Sequence, residues 1–115
     1  MIFFLYGEDI WRKKQKIAQI SQKFIKEVDP SKMNLVVIDV ADVQEESLRN
    51  VLKSAPFLAR KRMVVLKNCL TGATRKAIPE IVAEVLPQVP ETTVLVVSED
   101  REMPKKWKYT ASRDA

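Results

Sequence analysis

Four short apolar segments, separated by stretches with helical patterning, constrain the fold of this chain more than any other feature. They occupy residues 2–6, 35–40, 63–66 and 92–97. Each is rich in branched or aromatic side chains, which is typical of strands buried on both faces of a sheet. Four such strands alternating with three helices predict an α/β fold, with a parallel sheet between two layers of helices and right-handed crossovers. Because the first segment is apolar throughout, we expect it to be a central strand.

The first helical stretch, residues 10–28, has apolar residues at helical spacing and cations at most other positions. We expect Glu8 or Asp9 to cap it, since a carboxylate there meets free backbone N–H groups and the positive end of the helix dipole. The expected basic outer face consists of Arg12, Lys13, Lys14, Lys16, Lys23 and Lys26.

The other two helices also carry signals for their beginnings. Asp42-x-x-Glu45 is similar to a capping box and predicts the start of the second helix. Pro79 suits the first turn of the third helix, and Pro87 and Pro90 are expected to close it. The predicted inner face of the third helix is Ile81, Val82, Val85 and Leu86.

Composition excludes several classes of function. A chain of 115 residues predicts one domain. The chain has no histidine, which excludes imidazole-based catalysis and most zinc sites. Its single cysteine, Cys69, excludes an internal disulfide, fits a reducing cytoplasm and is expected to be a buried thiol. A net charge of +5 is compatible with acidic partners, including nucleic acid.

The carboxyl ends of the strands, where parallel sheets bind ligands, lack the residues that a nucleotide site needs. After the first strand, Gly7 is followed by Glu8 and Asp9, and two acids would repel phosphate. After the third strand, Lys67-Asn68 stands where a magnesium-binding acid would be required. We therefore expect no cofactor, no metal and no catalytic residue, and we interpret the acidic pairs at 8–9 and 99–100 as structural.

The segment between the second helix and the third strand allows two interpretations. Pro56 ends helical structure, so that Phe57 and Leu58 fall on a short break in the chain. The two apolar side chains would either plug the core or form a hydrophobic anchor for a partner protein. Three cations follow directly and would form a basic rim: Arg60, Lys61 and Arg62.

The last part of the chain, residues 98–115, is polar and basic and is expected to lead away from a domain over residues 1–97. It contains Lys105, Lys106 and Lys108, interleaved with Trp107 and Tyr109. This composition suits either nucleic-acid binding or a solvated helix face.

Four segments together resemble the N-terminal domain of the bacterial DNA polymerase III delta subunit family: residues 1–9, 35–39, 54–68 and 93–97. The first and third of these carry the most specific part of the resemblance. It implies a P-loop NTPase or AAA+-like fold without a functional phosphate loop, in a subunit that is not itself an enzyme. The holoenzyme to which such a subunit contributes is a DNA-directed DNA polymerase, a nucleotidyltransferase of the bacterial cytoplasm.

The resemblance also implies partners and a site. Family members bind the ring-shaped sliding clamp and open it for loading onto primed DNA, together with other clamp-loader subunits. Their clamp-binding element is a pair of apolar residues between the second helix and the third strand. Phe57 matches one of the pair, and Pro56 or Leu58 supplies the other. The family's lid and collar domains would lie beyond residue 115, and DNA would be reached through the assembled complex.

Two other functions remain open from the sequence. One is a stand-alone, basic nucleic-acid-binding domain, whose affinity for DNA would fall steeply with added salt. The other is an ATPase, which detectable ATP hydrolysis would support.

Overall fold

The computed structural model describes residues 2–101. The four strands are β1 (Ile2–Tyr6), β2 (Leu35–Asp39), β3 (Arg62–Lys67) and β4 (Thr93–Glu99). The three α-helices are α1 (Ile10–Glu27), α2 (Glu45–Lys53) and α3 (Ala77–Val85), and a 3₁₀ turn at Leu86–Gln88 extends α3. The α/β class and the number and order of the elements are therefore as the sequence predicts.

The strands form one parallel sheet in the order β1-β4-β3-β2. In the middle of the sheet, Val65 of β3 lies between Val37 of β2 and Val96 of β4. β3 and β4 are the central strands, which explains why their apolar residues are almost all fully buried.

The prediction that the first strand is central is wrong within the described part of the chain, where β1 pairs with β4 alone. Phe4 and Leu5 are nonetheless buried on opposite faces, because helices cover both sides of the sheet even at this edge. β2 is the other edge, and Val37 on it is 53% exposed, so this strand is less buried than its sequence predicts.

Helices on both faces create two apolar clusters. On one face, α2 and α3 pack together against the sheet around Leu48, Leu52, Ile81 and Val85. On the other face, α1 contributes Phe24 to a smaller cluster. The predicted inner face of α3 is buried as expected.

The helix ends agree only partly with the sequence-based expectations. Asp9 caps α1 and accepts a hydrogen bond from the backbone N–H of Arg12 at 3.1 Å, as predicted. The capping box at α2 is wrong: the helix begins at Glu45 with Gln44 at the N-cap, and Gln44 makes no side-chain capping bond. Asp42 instead donates its backbone N–H to the carbonyl of Asp39 in the preceding turn.

Within residues 2–101, none of the helices combines the length and the apolar character needed to cross a lipid bilayer.

Candidate functional site

The display loop, residues 54–61, connects α2 to β3 at the amino end of the sheet. Phe57 is 56% exposed and Leu58 is 88% exposed, whereas Pro56 is partly buried. The interpretation that Phe57 and Leu58 plug the core is therefore wrong. Neither residue belongs to the two apolar clusters, which consist of side chains from the strands, the helices and their connecting loops.

The side chain of Asn34, immediately before β2, fixes the backbone of this loop. Its Oδ1 accepts the backbone N–H of Phe57 at 2.6 Å, and its Nδ2 donates to the carbonyl oxygen of Phe57 at 2.7 Å. Asn34 is almost fully buried, although Phe57 is exposed. One amide side chain thus pairs with both polar groups of the Phe57 backbone, as a neighbouring strand would.

Asp29, just after α1, holds Asn34 in turn. Its carboxylate accepts hydrogen bonds from the backbone N–H of Asn34 at 2.8 Å, from Asn34 Nδ2 at 3.1 Å and from Ser31 Oγ at 3.1 Å. Burial acts to raise the pKa of Asp29, but the hydrogen bonds from Asn34 and Ser31 outweigh it and lower the pKa below its ordinary value. The carboxylate is therefore a stable, charged acceptor beneath the loop.

The backbone of Leu58 adopts a left-handed conformation, with φ of +54°. Such a conformation is unfavourable for a residue with a Cβ atom, by about 1–2 kcal/mol. Leu58 therefore carries its branched side chain at a local cost in stability. It is also the most exposed large apolar residue that the structure describes.

The predicted basic rim is only partly exposed. Arg60 is exposed, whereas Lys61 and Arg62 are half-buried, and burial lowers the pKa of Arg62. Arg60 therefore offers the most accessible charge beside the apolar pair. The other predicted basic contacts, Lys105, Lys106 and Lys108, lie outside the described residues.

The opposite, carboxyl end of the sheet is closed by a polar network. Lys13 is buried, so that its assignment to the basic outer face of α1 is wrong: it faces inward and spans from the helix to the strand ends. Its Nζ donates to the carbonyl oxygen of Gly7 and lies 3.2 Å from Asp100 Oδ1. Asn68 completes the network, since its Nδ2 donates to Asp100 Oδ2 at 3.0 Å and its Oδ1 accepts the backbone N–H of Asp100 at 2.8 Å.

The hydrogen bond from Asn68, together with Lys13 and the nearby charge of Lys14, holds the pKa of Asp100 below its ordinary value. A cavity of about 300 Å³ adjoins this network and is lined by residues that include Lys14, Asp39 and Lys67. Its cations and carboxylates lie side by side, so it lacks the uniform positive potential that would attract a phosphate chain.

Glu99, at the end of β4, is fully buried and organises the loop after β3. Its carboxylate accepts hydrogen bonds from the backbone N–H groups of Leu70 and Thr71 and from the Thr71 hydroxyl. Burial raises the pKa of Glu99. Burial, with a contribution from the charge of Glu99, also raises the pKa of the Cys69 thiol to about 12, which makes this cysteine a poor nucleophile.

Among residues 2–101, no group of three or more histidine, cysteine, aspartate or glutamate side chains is placed to hold a metal ion. The two acids at 99–100 have different structural roles. Glu99 holds the loop after β3, and Asp100 pairs with Lys13.

A family described as the DNA polymerase III delta subunit matches residues 3–112. The chain belongs to this family. No curated protein sequence matches the chain.

Two solved structures share the fold of this delta-family chain. The DNA clamp loader delta protein of Bacillus subtilis is 20% identical, with a TM-score of 0.69 over 94% of the chain and 33% of that protein. A DNA polymerase III gamma subunit-related protein of Thermotoga maritima is 17% identical, with a TM-score of 0.69 over 99% of the chain and 40% of that protein. The chain therefore spans only about a third to two fifths of the length of these two proteins.

Sequence reasoning misses or misassigns residues that shape both ends of the sheet. It gives no role to Asp29 or Asn34, and it places Lys13 on the solvent face of α1. The available signal was weak: an asparagine just before an apolar strand, and a lysine at the same helical face as Ile17 and Phe24.

Proposed function

We propose that this protein binds a ring-shaped sliding clamp through the display loop and holds one interface of the ring open, so that the clamp can be loaded onto primed DNA. The observation that carries the proposal is the exposure of Phe57 and Leu58 on a loop whose backbone is fixed from below. Membership of the delta subunit family supports the identity of the partner.

Phe57 and Leu58 are the proposed anchor pair, in preference to Phe57 and Pro56. Leu58 has almost its whole surface available for burial, whereas Pro56 is already partly covered. Fully burying a Phe or Leu side chain contributes ~1.5–3 kcal/mol, and truncating a central anchor often costs at least ~2 kcal/mol. Two anchors with one accessible cation beside them suit a hydrophobic pocket with a polar rim.

The wider role follows from the same family. The domain is AAA+-like without a working phosphate site, acts in the cytoplasm without catalysing a reaction itself, and reaches DNA through a complex with other clamp-loader subunits. The engagement of Lys13 with Gly7 and Asp100 supports this part of the proposal, because this buried lysine beside the strand ends is already paired within the protein.

The test is calorimetric titration of the sliding clamp from the same source with the protein and with its Phe57→Ala/Leu58→Ala variant. We expect the double substitution to weaken binding by at least about 100-fold, since each anchor contributes on the order of 2 kcal/mol. Circular dichroism should show that the variant stays folded, because both side chains lie outside the core. Ring opening is measured separately, as release of clamps from circular DNA on addition of the protein.

A matched control removes two exposed apolar side chains from the other end of the molecule. Ile10 and Trp11, at the start of α1, are 46% and 67% exposed. The Ile10→Ala/Trp11→Ala variant should bind the clamp as the parent does. Failure of the folded parent to bind, combined with DNA binding that weakens steeply with salt, would instead favour the nucleic-acid-binding alternative.

A further inference from the structure

Asn34 and Asp29 form the most fully satisfied polar cluster at the amino end of the described sheet. Asn34 Oδ1 accepts from Phe57, and the two hydrogens of Nδ2 are used by the Phe57 carbonyl and by Asp29 Oδ1. Both residues are at most 3% exposed. A buried cluster in which every group has a partner favours one conformation over its alternatives.

The carboxylate of Asp29 determines the orientation of the Asn34 amide. A charged carboxylate can only accept hydrogen bonds, so that the amide must turn its NH₂ group toward Asp29. Its oxygen then faces the Phe57 N–H group, as the 2.6 Å contact shows. The arrangement requires two N–H donors and a separate acceptor on one short side chain, and the asparagine amide supplies all three.

The pairing acts at one point of the display loop. Phe57 lies outside the sheet, yet its N–H and C=O groups are both engaged, and the chain turns into the left-handed conformation at the next residue, Leu58. The two exposed side chains are therefore attached to a backbone whose direction is set by Asn34, 23 positions before Phe57 in the chain.

We infer that Asn34, oriented by Asp29, is a positioning residue that holds Phe57 and Leu58 in the conformation required for docking. This inference rests on the proposed function, because it assigns the pair a role in clamp binding as well as in the fold. A loop that is ordered before binding loses less conformational entropy on docking, and a larger fraction of the free protein is competent to bind.

The experiment compares the protein with its Asn34→Ala variant by two readouts. Amide hydrogen exchange at Phe57, measured by NMR on the protein without clamp, should become about 10-fold faster or more when the hydrogen bond is removed. Clamp binding, measured by surface plasmon resonance, should weaken about 10-fold. The loss should appear mainly in the association rate, because the competent fraction falls while the docked contacts of Phe57 and Leu58 are unchanged.

Asn68 provides the matched control. It is also an asparagine that uses its whole amide, with Asp100 as partner, but it lies at the carboxyl end of the sheet. Asn68→Ala should destabilise the fold without changing exchange at Phe57 or the association rate. If Asn34→Ala does not fold, Asn34→Leu, which retains the volume of this buried side chain, replaces it.

The outcomes separate this inference from the function on which it rests. Unchanged exchange at Phe57 in the folded Asn34 variant overturns the positioning role, and so does faster exchange with an unaltered association rate. If the folded parent does not bind the clamp, the proposed function fails and the positioning role fails with it. Faster exchange together with slower association, absent in Asn68→Ala, establishes it.

Discussion

The carboxyl end of the sheet is closed by polar side chains that contact one another, whereas the amino end exposes a pair of apolar side chains. At the carboxyl end, Lys13 and Asn68 both contact the carboxylate of Asp100, so that these polar groups are already engaged within the protein. At the amino end, the large apolar side chains of Phe57 and Leu58 stay on the surface. Parallel sheets usually bind ligands at their carboxyl ends. In this protein the most exposed large apolar side chain of the described residues, that of Leu58, lies instead at the amino end, beside Phe57.

An asparagine organises each end. Asn68, itself in a left-handed conformation with φ of +59°, ties the end of β3 to the residue after β4. Asn34 ties the start of β2 to the display loop. The two asparagine amides have different effects because their partners differ. Asn68 binds a residue at a strand end and closes that end of the sheet, whereas Asn34 binds an exposed loop.

The largest stability effect at the carboxyl end is expected for Glu99→Ala. Glu99 serves three donors from Leu70 and Thr71, and leaving a buried donor without an acceptor costs ~1–3 kcal/mol. We expect a loss of about 3 kcal/mol in the free energy of unfolding, measured by urea denaturation. Clamp affinity of the folded fraction should not change, since the display loop lies at the other end.

Glu99→Gln tests the charge of this residue separately from its hydrogen bonds. Burial raises the pKa of Glu99 above its ordinary value of 4.5, so the stability linked to this group is fully present below pH 4.5 and is lost as the pH rises through the raised pKa. Glutamine has no charge to bury. Between pH 4.5 and 8, the parent should therefore lose stability relative to Glu99→Gln, and parallel pH profiles for the two proteins would contradict this account. The pKa values of Asp29 and Asp100 are lowered, so the stability linked to these two groups is lost as the pH falls below 3.8, outside this range.

A smaller effect is expected for Lys13→Met. The substitution keeps most of the apolar stem but leaves the Gly7 carbonyl and Asp100 without the ammonium group. Because the Asp100 side chain is 39% exposed, solvent screens part of the loss, and we expect about 1–2 kcal/mol in urea denaturation. Lys23→Met, at an exposed position further along α1, is the control and should change stability by less than about 0.5 kcal/mol. Equal effects for the two lysines would mean that the network does not close this end of the sheet.

Local sequence signals predicted the elements that depend on local interactions. The apolar run in β3 and the Asp9 cap of α1 were correct because a strand buried on both faces and a helix N-terminus each impose a pattern on adjacent residues. The position of β1 at an edge was not predictable in this way, since strand order depends on how the crossovers pack. The hydrogen bonds between Asn34 and Phe57 join residues far apart in sequence, and no local pattern around either residue predicts the contact.

The smallest expected effect distinguishes stability from binding at a single residue of the display loop. Leu58 has φ of +54°, where a Cβ atom is unfavourable and glycine is not. Leu58→Gly and Leu58→Ala both remove the exposed side chain, so both should weaken clamp binding by at least about 10-fold. In thermal or urea unfolding, the glycine variant should be more stable than the alanine variant by up to about 1 kcal/mol, because relief of the left-handed strain exceeds the extra entropy that glycine gives to the unfolded chain. An alanine variant as stable as the glycine variant would show that the loop leaves this conformation at little cost, and the contrast between a displayed amino end and a closed carboxyl end would then rest on Phe57 alone.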